Sequence, residues 1–163
     1  MNMNQYQQLK SGNAGMSLME IILTLAITAI ILTAIVSLTS LSVSTSTLSK
    51  NKAQANRYAG EAIEFVRTEK GSLGWNAFKS KVTWQDEATG IHDVWCLKDL
   101  SFSDSNKKIC NTDGTDNITG TIFRRSLEIK NVTNKTMDIE VKVIWTDEKG
   151  THETFTISAI SNW

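Results

Sequence analysis

Between residues 21 and 49 the chain carries no charged side chain, and over residues 21–36 nothing more polar than Thr24, Thr28 and Thr33 interrupts the apolar run. About 20 apolar residues cross a bilayer core of about 30 Å as a helix, so the run predicts a membrane span and excludes a solvent-exposed surface helix. Residues 37–49 are rich in Ser and Thr, with Leu38, Leu41, Val43 and Leu48 among them. Small hydroxylated side chains pack helices closely and bond back to their own backbone, but they lower helix propensity, so this stretch is expected to be a softer continuation of the same helix. From residue 50 to residue 70 the pattern becomes amphipathic. Ala55, Ala59, Ala62 and Val66 recur at spacings of four, three and four, Tyr58, Ile63 and Phe65 widen the stripe, and Glu61, Glu64, Arg67 and Glu69 take other positions. One helix from about residue 16 to residue 70 is expected, roughly 80 Å long at 1.5 Å per residue. Gly71 and Gly74 are expected to stop it.

The last third alternates with period two. Residues 121–130 and 136–146 read as strands, and in the second Met137, Ile139, Val141, Val143 and Trp145 alternate with Asp138, Glu140 and Lys142. Asp147, Glu148, Lys149 and Gly150 form a hairpin turn, after which residues 153–161 return with Phe155, Ile157 and Ala159 expected inward. Residues 82–84 and 91–95 read as short strands around a loop at 86–90. Antiparallel strands with one apolar face need a cover, which the stripe from Ala55 to Val66 provides. The expected fold is α+β, a long N-terminal helix with a C-terminal antiparallel β-sheet packed on its second half. The organisation follows: a leader at residues 1–15, an apolar half-helix at 16–49, an amphipathic half-helix at 50–70 and a globular β-sheet head at 71–163.

Charge adds an exclusion. Apart from Lys10 and Glu20, all the Lys, Arg, Asp and Glu residues lie beyond residue 49, and the two signs balance there. Phosphate-backbone binding needs concentrated cations, so no nucleic-acid partner is expected, and the pairs Lys107-Lys108 and Arg124-Arg125 read as solvated positions. Two cysteines, Cys96 and Cys110, would close a 15-residue loop worth about 3 kcal/mol if the head is exported, or stay as reduced, half-buried thiols if it is not. Proline is absent, which removes one common helix breaker.

The junction before the apolar run is the most specific feature. A short polar leader ends at Ala14-Gly15, and Met16-Ser17-Leu18-Met19-Glu20 leads into the long helix. A secretory signal peptide would have a shorter apolar region, about 7 to 15 residues, with its cleavage site after it rather than before. The arrangement resembles the prepilin cleavage and methylation motif of type IV pilins and pseudopilins. That resemblance implies cleavage between Gly15 and Met16 by a membrane prepilin peptidase, N-methylation of Met16, and Glu20 as the fifth mature residue, where the family keeps its glutamate. Met16 stands where phenylalanine is commonest in the family. The Val-Ile-Trp strand, the Thr-rich return strand and the terminal Asn162-Trp163 also look like the carboxyl ends of PilV-like minor pilins.

Physical chemistry gives the motif a rationale of its own. Cleavage would leave a free amino group close to a carboxylate with no partner nearby in sequence, and in side-by-side helices the amine of one subunit neutralises Glu20 of the next. Glu20 also suits the positive end of the helix dipole; alternatively it only marks the membrane boundary. The flanking charges favour the opposite topology: Lys10 precedes the span while Lys50, Lys52 and Arg57 follow it, so a positive-inside count places the head in the cytoplasm. Only the resemblance reverses that, implying an inner-membrane subunit with an extracytoplasmic head that enters a pilus or pseudopilus.

Candidate chemistry is sparse. His92 and His152 stand without a nucleophile at a recognisable spacing, no phosphate-cradling glycine loop is present, and neither an enzyme nor a cofactor is expected. Residues 111–117 offer Asn and Asp oxygens around Gly114, as calcium loops do, but lack the EF-hand spacing, and an ordinary turn is the simpler account. The expected function is a structural subunit, a minor pilin or pseudopilin of a type IV pilus or secretion-type filament. Its partners would be other subunits, prepilin peptidase, the assembly platform and, before assembly, membrane lipid. The alternative is a membrane-anchored binding module that does not polymerise.

Overall fold

The computed structural model describes residues 18–86 and 91–162, apart from the side chains of residues 85, 86, 91 and 92. Gly15, Met16, the rest of the leader and Trp163 therefore lie outside the described residues, as does most of the loop at 86–90. The elements in chain order are α1 (Leu18–Leu73), α2 (Trp75–Val82), β1 (Gln85–Asp86), β2 (Ile91–His92), β3 (Val94–Cys96), β4 (Phe123–Lys130), β5 (Thr136–Asp147) and β6 (Gly150–Ser161). This is the expected α+β architecture, a long N-terminal helix packed against a four-stranded antiparallel sheet in the manner of a pilin. Two compact units divide the chain between Thr47 and Leu48, within α1.

In the first unit α1 is apolar and exposed all round. In the second, Ala55, Ala59, Ala62, Ile63 and Val66 are buried under the sheet, and the alanines at 0 % exposure bring the helix close to the strands. The helix runs through Gly71, contrary to expectation, and ends at Gly74. There φ is +74° and the Gly74 N–H donates to Lys70 O at 2.9 Å, a positive-φ conformation that glycine adopts without a Cβ penalty. Residues 82–84, expected as a strand, are the end of α2 and its exit. Trp75, Phe78 and Val82 recur at helical spacing and all three are buried. Asp93, with φ +56°, breaks the expected strand at 91–95 into β2 and β3.

The main sheet runs β3-β4-β5-β6, so β3 and β6 are its edges. One face of β4 and β5 supplies the sheet's main share of the core, with Phe123, Leu127, Ile129, Met137, Ile139, Val141, Val143 and Trp145 buried. For β6 the facing is the reverse of expectation. Asp147 pairs with Gly150 across a two-residue turn, and the unbroken register then sets Trp145 opposite His152, Val143 opposite Thr154, Val141 opposite Thr156 and Met137 opposite Ile160. Residues paired across strands share a face, so His152, Thr154, Thr156, Ser158 and Ile160 look toward the helix. Phe155, Ile157 and Ala159 therefore point outward, and Phe155 and Ile157 are each 60 % exposed.

The inward hydroxyls are put to use. Thr154 Oγ1 donates to Asn56 Oδ1 at 2.8 Å and Arg67 Nη2 donates to Ser158 Oγ at 3.4 Å, while Lys70 Nζ donates to Ser161 O at 2.7 Å. The helix-facing side of β6 is thus a polar seam rather than an extension of the apolar core, apart from Ile160.

Candidate functional site

Two regions merit a functional account: the apolar half of α1, and the node where the disulfide loop, the sheet and the amphipathic half of α1 meet.

Glu20 lies in the first turn of α1, where the amide dipoles favour a carboxylate. It is exposed and forms no ion pair within the described residues. Around and beyond it the large side chains from Leu18 to Val43 are exposed, from 44 % for Ile21 to 76 % for Leu18. Such a continuous apolar surface is unfavourable in water and suits lipid or other apolar helices. The hydroxyls along it are already satisfied. Thr24 donates to Glu20 O at 2.9 Å, Thr28 to Thr24 O at 2.7 Å, Thr33 to Ile30 O at 2.8 Å, Ser37 to Thr33 O at 3.0 Å and Thr39 to Ile35 O at 2.8 Å. Every Ser and Thr hydroxyl from residue 21 to residue 39 therefore bonds within its own helix, so this part of α1 presents no unsatisfied hydroxyl to a hydrocarbon environment. By length and composition this helix is the candidate membrane span.

In the head, Cys96 and Cys110 are joined by a disulfide. It closes a loop whose Leu97 is fully buried and whose Phe102 is a half-buried plug. Phe102 lies 4.9 Å from the ring of Trp95, 5.1 Å from Phe65 and 6.1 Å from Phe78, so the loop, β3, α1 and α2 meet on one aromatic side chain. Trp95 is fixed in turn by donating its Nε1–H to Val82 O at 2.9 Å. The polar composition of residues 97–109 hid these two anchors.

Arg125, read from sequence as a solvated position, is only 2 % exposed. It occupies the inward register of β4 between Phe123 and Leu127, and that alternation was the available signal. Its Nε donates to Leu97 O at 3.0 Å and its Nη1 to Tyr58 O at 3.0 Å, while Nη1 also stands 3.6 Å from Glu61 Oε2. Burial draws the guanidinium pKa below its ordinary value, and Glu61 opposes that shift. One buried cation thus ties the disulfide loop, the sheet and the helix.

Residues 111–117 form a turn held by its own aspartates, although the Asn117 Oδ1 is buried without a hydrogen-bond partner among the described residues. Asp116 is 2 % exposed and accepts the Asn111 N–H at 2.8 Å and the Lys108 ammonium at 2.9 Å, and Asp113 Oδ1 accepts from Thr115 N and Oγ1. Burial pushes the Asp116 carboxyl up, but the Asn111 amide and Lys108 outweigh it, and its pKa lies below the ordinary value. These bonds occupy both oxygens of Asp116 without a metal. No group of three or more metal-ligating side chains occurs among the described residues. His152 Nε2 lies 2.9 Å from Asp147 Oδ1 and its ring stacks 5.4 Å from Trp145, which closes the β5–β6 hairpin; the His92 side chain lies outside the description.

Comparison with protein-family models, with curated proteins and with solved structures finds no match to this chain.

Proposed function

We propose that this chain is a structural subunit of a type IV pilus or type II secretion-like filament, a minor pilin or pseudopilin. In this reading prepilin peptidase cleaves it between Gly15 and Met16, methylates Met16, and the assembly platform then draws it from the inner membrane. The observation that carries the reading is the sequence from Gly15 to Glu20 set immediately before an uncharged helix whose apolar side chains are exposed on every side. A helix of that kind rests in lipid before assembly and bundles with others afterwards, with the amine of one subunit meeting Glu20 of another. The exposed carboxylate without an ion-pair partner among the described residues agrees with this use. One further feature supports an exported head: the disulfide, which persists in oxidising compartments.

The test is Glu20→Val in the native cell, with sheared filaments and membranes assayed separately. The subunit reading predicts a chain that is still processed and membrane-bound but lost from filaments. Undiminished incorporation of the variant contradicts the role of Glu20. Absence of the unaltered chain from every filament fraction contradicts the subunit reading and favours a non-polymerising membrane-anchored module.

A further inference from the structure

Three Asn-x-Thr triplets, the acceptor sequence of N-glycosylation, stand in the head: Asn117-Ile118-Thr119, Asn131-Val132-Thr133 and Asn134-Lys135-Thr136. None has proline at its middle position, which would block transfer. Triplets of this kind also arise from composition alone in a chain rich in Asn and Thr, so the three have to be separated by which amide nitrogen is exposed and uncommitted. Asn117 is half-buried, its Oδ1 is enclosed without a partner, its Nδ2 donates to Thr121 O at 3.4 Å and its backbone bridges to Arg124. A sugar there would have to enter a closed turn. Asn131 is exposed, but its Nδ2 donates to Asp138 Oδ2 at 2.9 Å and the Thr133 hydroxyl of its triplet donates to Thr136 O at 3.0 Å. Both groups that the acceptor sequence needs are already in use.

Asn134 differs on both counts. It is exposed and its side chain forms no hydrogen bond among the described residues, while Thr136 is exposed beside it with a hydroxyl that meets only the Thr133 hydroxyl, at 2.9 Å. Asn134 and Lys135 are the two central residues of a tight turn between β4 and β5, closed by the Thr133 N–H donating to Thr136 O at 2.8 Å. The Thr133 hydroxyl oxygen accepts the Lys135 N–H at 3.2 Å and the Thr136 N–H at 2.8 Å. Lys79 Nζ donates to Thr133 O at 3.1 Å, and the Asn162 N–H donates to Lys135 O at 2.7 Å. The backbone of the turn is thus held from within, from α2 and from the end of the chain, and the Asn134 amide is left to solvent. A bulky substituent on that amide displaces no bond and uncovers no core.

We propose that Asn134 is an N-glycosylation site, a modification that needs an extracytoplasmic head and so rests on that part of the filament reading. In the step, the Asn134 amide nitrogen forms a bond to the anomeric carbon of a sugar carried on a polyprenyl pyrophosphate. The bond from that carbon to the pyrophosphate oxygen breaks, the lipid pyrophosphate leaves with the electron pair, and the amide gives up one proton to a base of the transferase. Nothing is oxidised or reduced. A chain anchored by the apolar half of α1 stays in the membrane that carries such a lipid-linked donor. The product is a bulky, solvated cover over the β4–β5 turn, which marks this end of the head as facing water and leaves the packing of the sheet on α1 untouched.

The experiment purifies the full chain from its native cell in detergent and reads two things. One is the mass of the peptide holding residues 131–142, fragmented to locate any substituent; the other is the state of Cys96 and Cys110, trapped with a thiol-alkylating reagent. A disulfide-bonded chain with a sugar mass on Asn134, and none on Asn117 or Asn131, is expected. That mass is expected to vanish in Asn134→Gln and in Thr136→Ala and to persist in Thr136→Ser, which keeps the hydroxyl. Both positions are exposed, and an intact disulfide in each variant checks that the head still folds. An unmodified Asn134 in a disulfide-bonded chain, a sugar on Asn117 or Asn131 in its place, or a mass that survives Asn134→Gln overturns the proposal and leaves the filament reading intact. An unmodified Asn134 together with reduced thiols overturns the extracytoplasmic head as well.

Discussion

Replacing Arg125 by Met tests how the head is held on its helix. The substitution keeps an unbranched apolar stem and removes a guanidinium that is 2 % exposed and donates at 3.0 Å to both Leu97 O and Tyr58 O. Tyr58 O lies within α1, where the ordinary helical amide four residues on still serves it, so its loss is partial. Leu97 O belongs to a fully buried residue and is left without this donor, at a cost of about 1–3 kcal/mol. Met carries no charge, so the variant no longer incurs the cost of burying a cation on folding, which offsets part of the loss. The net expectation is a destabilisation of about 1–3 kcal/mol. Glu61→Gln is expected to cost at most about 1 kcal/mol, because Glu61 is 38 % exposed and its oxygen is 3.6 Å from the guanidinium. The assay is urea denaturation of the full chain in detergent micelles followed by tryptophan fluorescence, which reports on the head alone because all five tryptophans lie beyond residue 74. A loss below about 0.5 kcal/mol for Arg125→Met, within the range of ordinary surface changes, refutes the argument that the carbonyl bonds join helix, loop and sheet. Equal losses for the two variants would assign the effect to the ion pair instead.

Three other outcomes follow from the same structure. Reducing the Cys96–Cys110 disulfide, or replacing both cysteines by Ser, is expected to lower head stability by about 3 kcal/mol in the same titration and to speed hydrogen exchange in residues 97–109. Val141→Ala, at a position with 0 % exposure, is expected to cost about 1–3 kcal/mol, whereas Ile157→Thr, at 60 % exposure, stays within about 0.5 kcal/mol; the reverse order would restore the inward facing expected for β6 from sequence. The folded-state pKa of Asp116 lies below the ordinary carboxyl value of 3.8, so its contribution is present above that value and is lost as pH falls through the folded one. Asp116→Asn is accordingly expected to flatten the acid limb of the stability profile below about pH 4 and to lower stability at neutral pH.

The parts of the fold legible in sequence are those set by a long, single-period pattern. The uncharged run at 21–49, the alanine stripe at 55–66 and the alternation at 136–146 each repeat often enough that tertiary context does not override them. The failures occur where the pattern is short or fits two placements. α2 has only eight residues between Gly74 and an extended exit, so its Trp75, Phe78 and Val82 spacing spans barely two turns and competes with the strand-like residues around Trp84 and Trp95. The alternation in β6 is genuine, but alternation does not say which face is inward. Counting pairs back from the two-residue turn at Asp147 and Gly150 would have set Phe155 outward, since Trp145 must then share its face with His152. Arg125 reads as solvated from its charge, whereas its position in the Phe123, Leu127, Ile129 alternation is inward. The anchoring roles of Leu97 and Phe102 depend on disulfide closure and contacts distant in sequence, which no local pattern encodes.

Mass spectrometry of the chain in sheared surface filaments addresses the filament account most directly. The account predicts a chain beginning at N-methylated Met16, without residues 1–15, present in the filament fraction. A chain that retains its leader and is confined to the membrane fraction would contradict it.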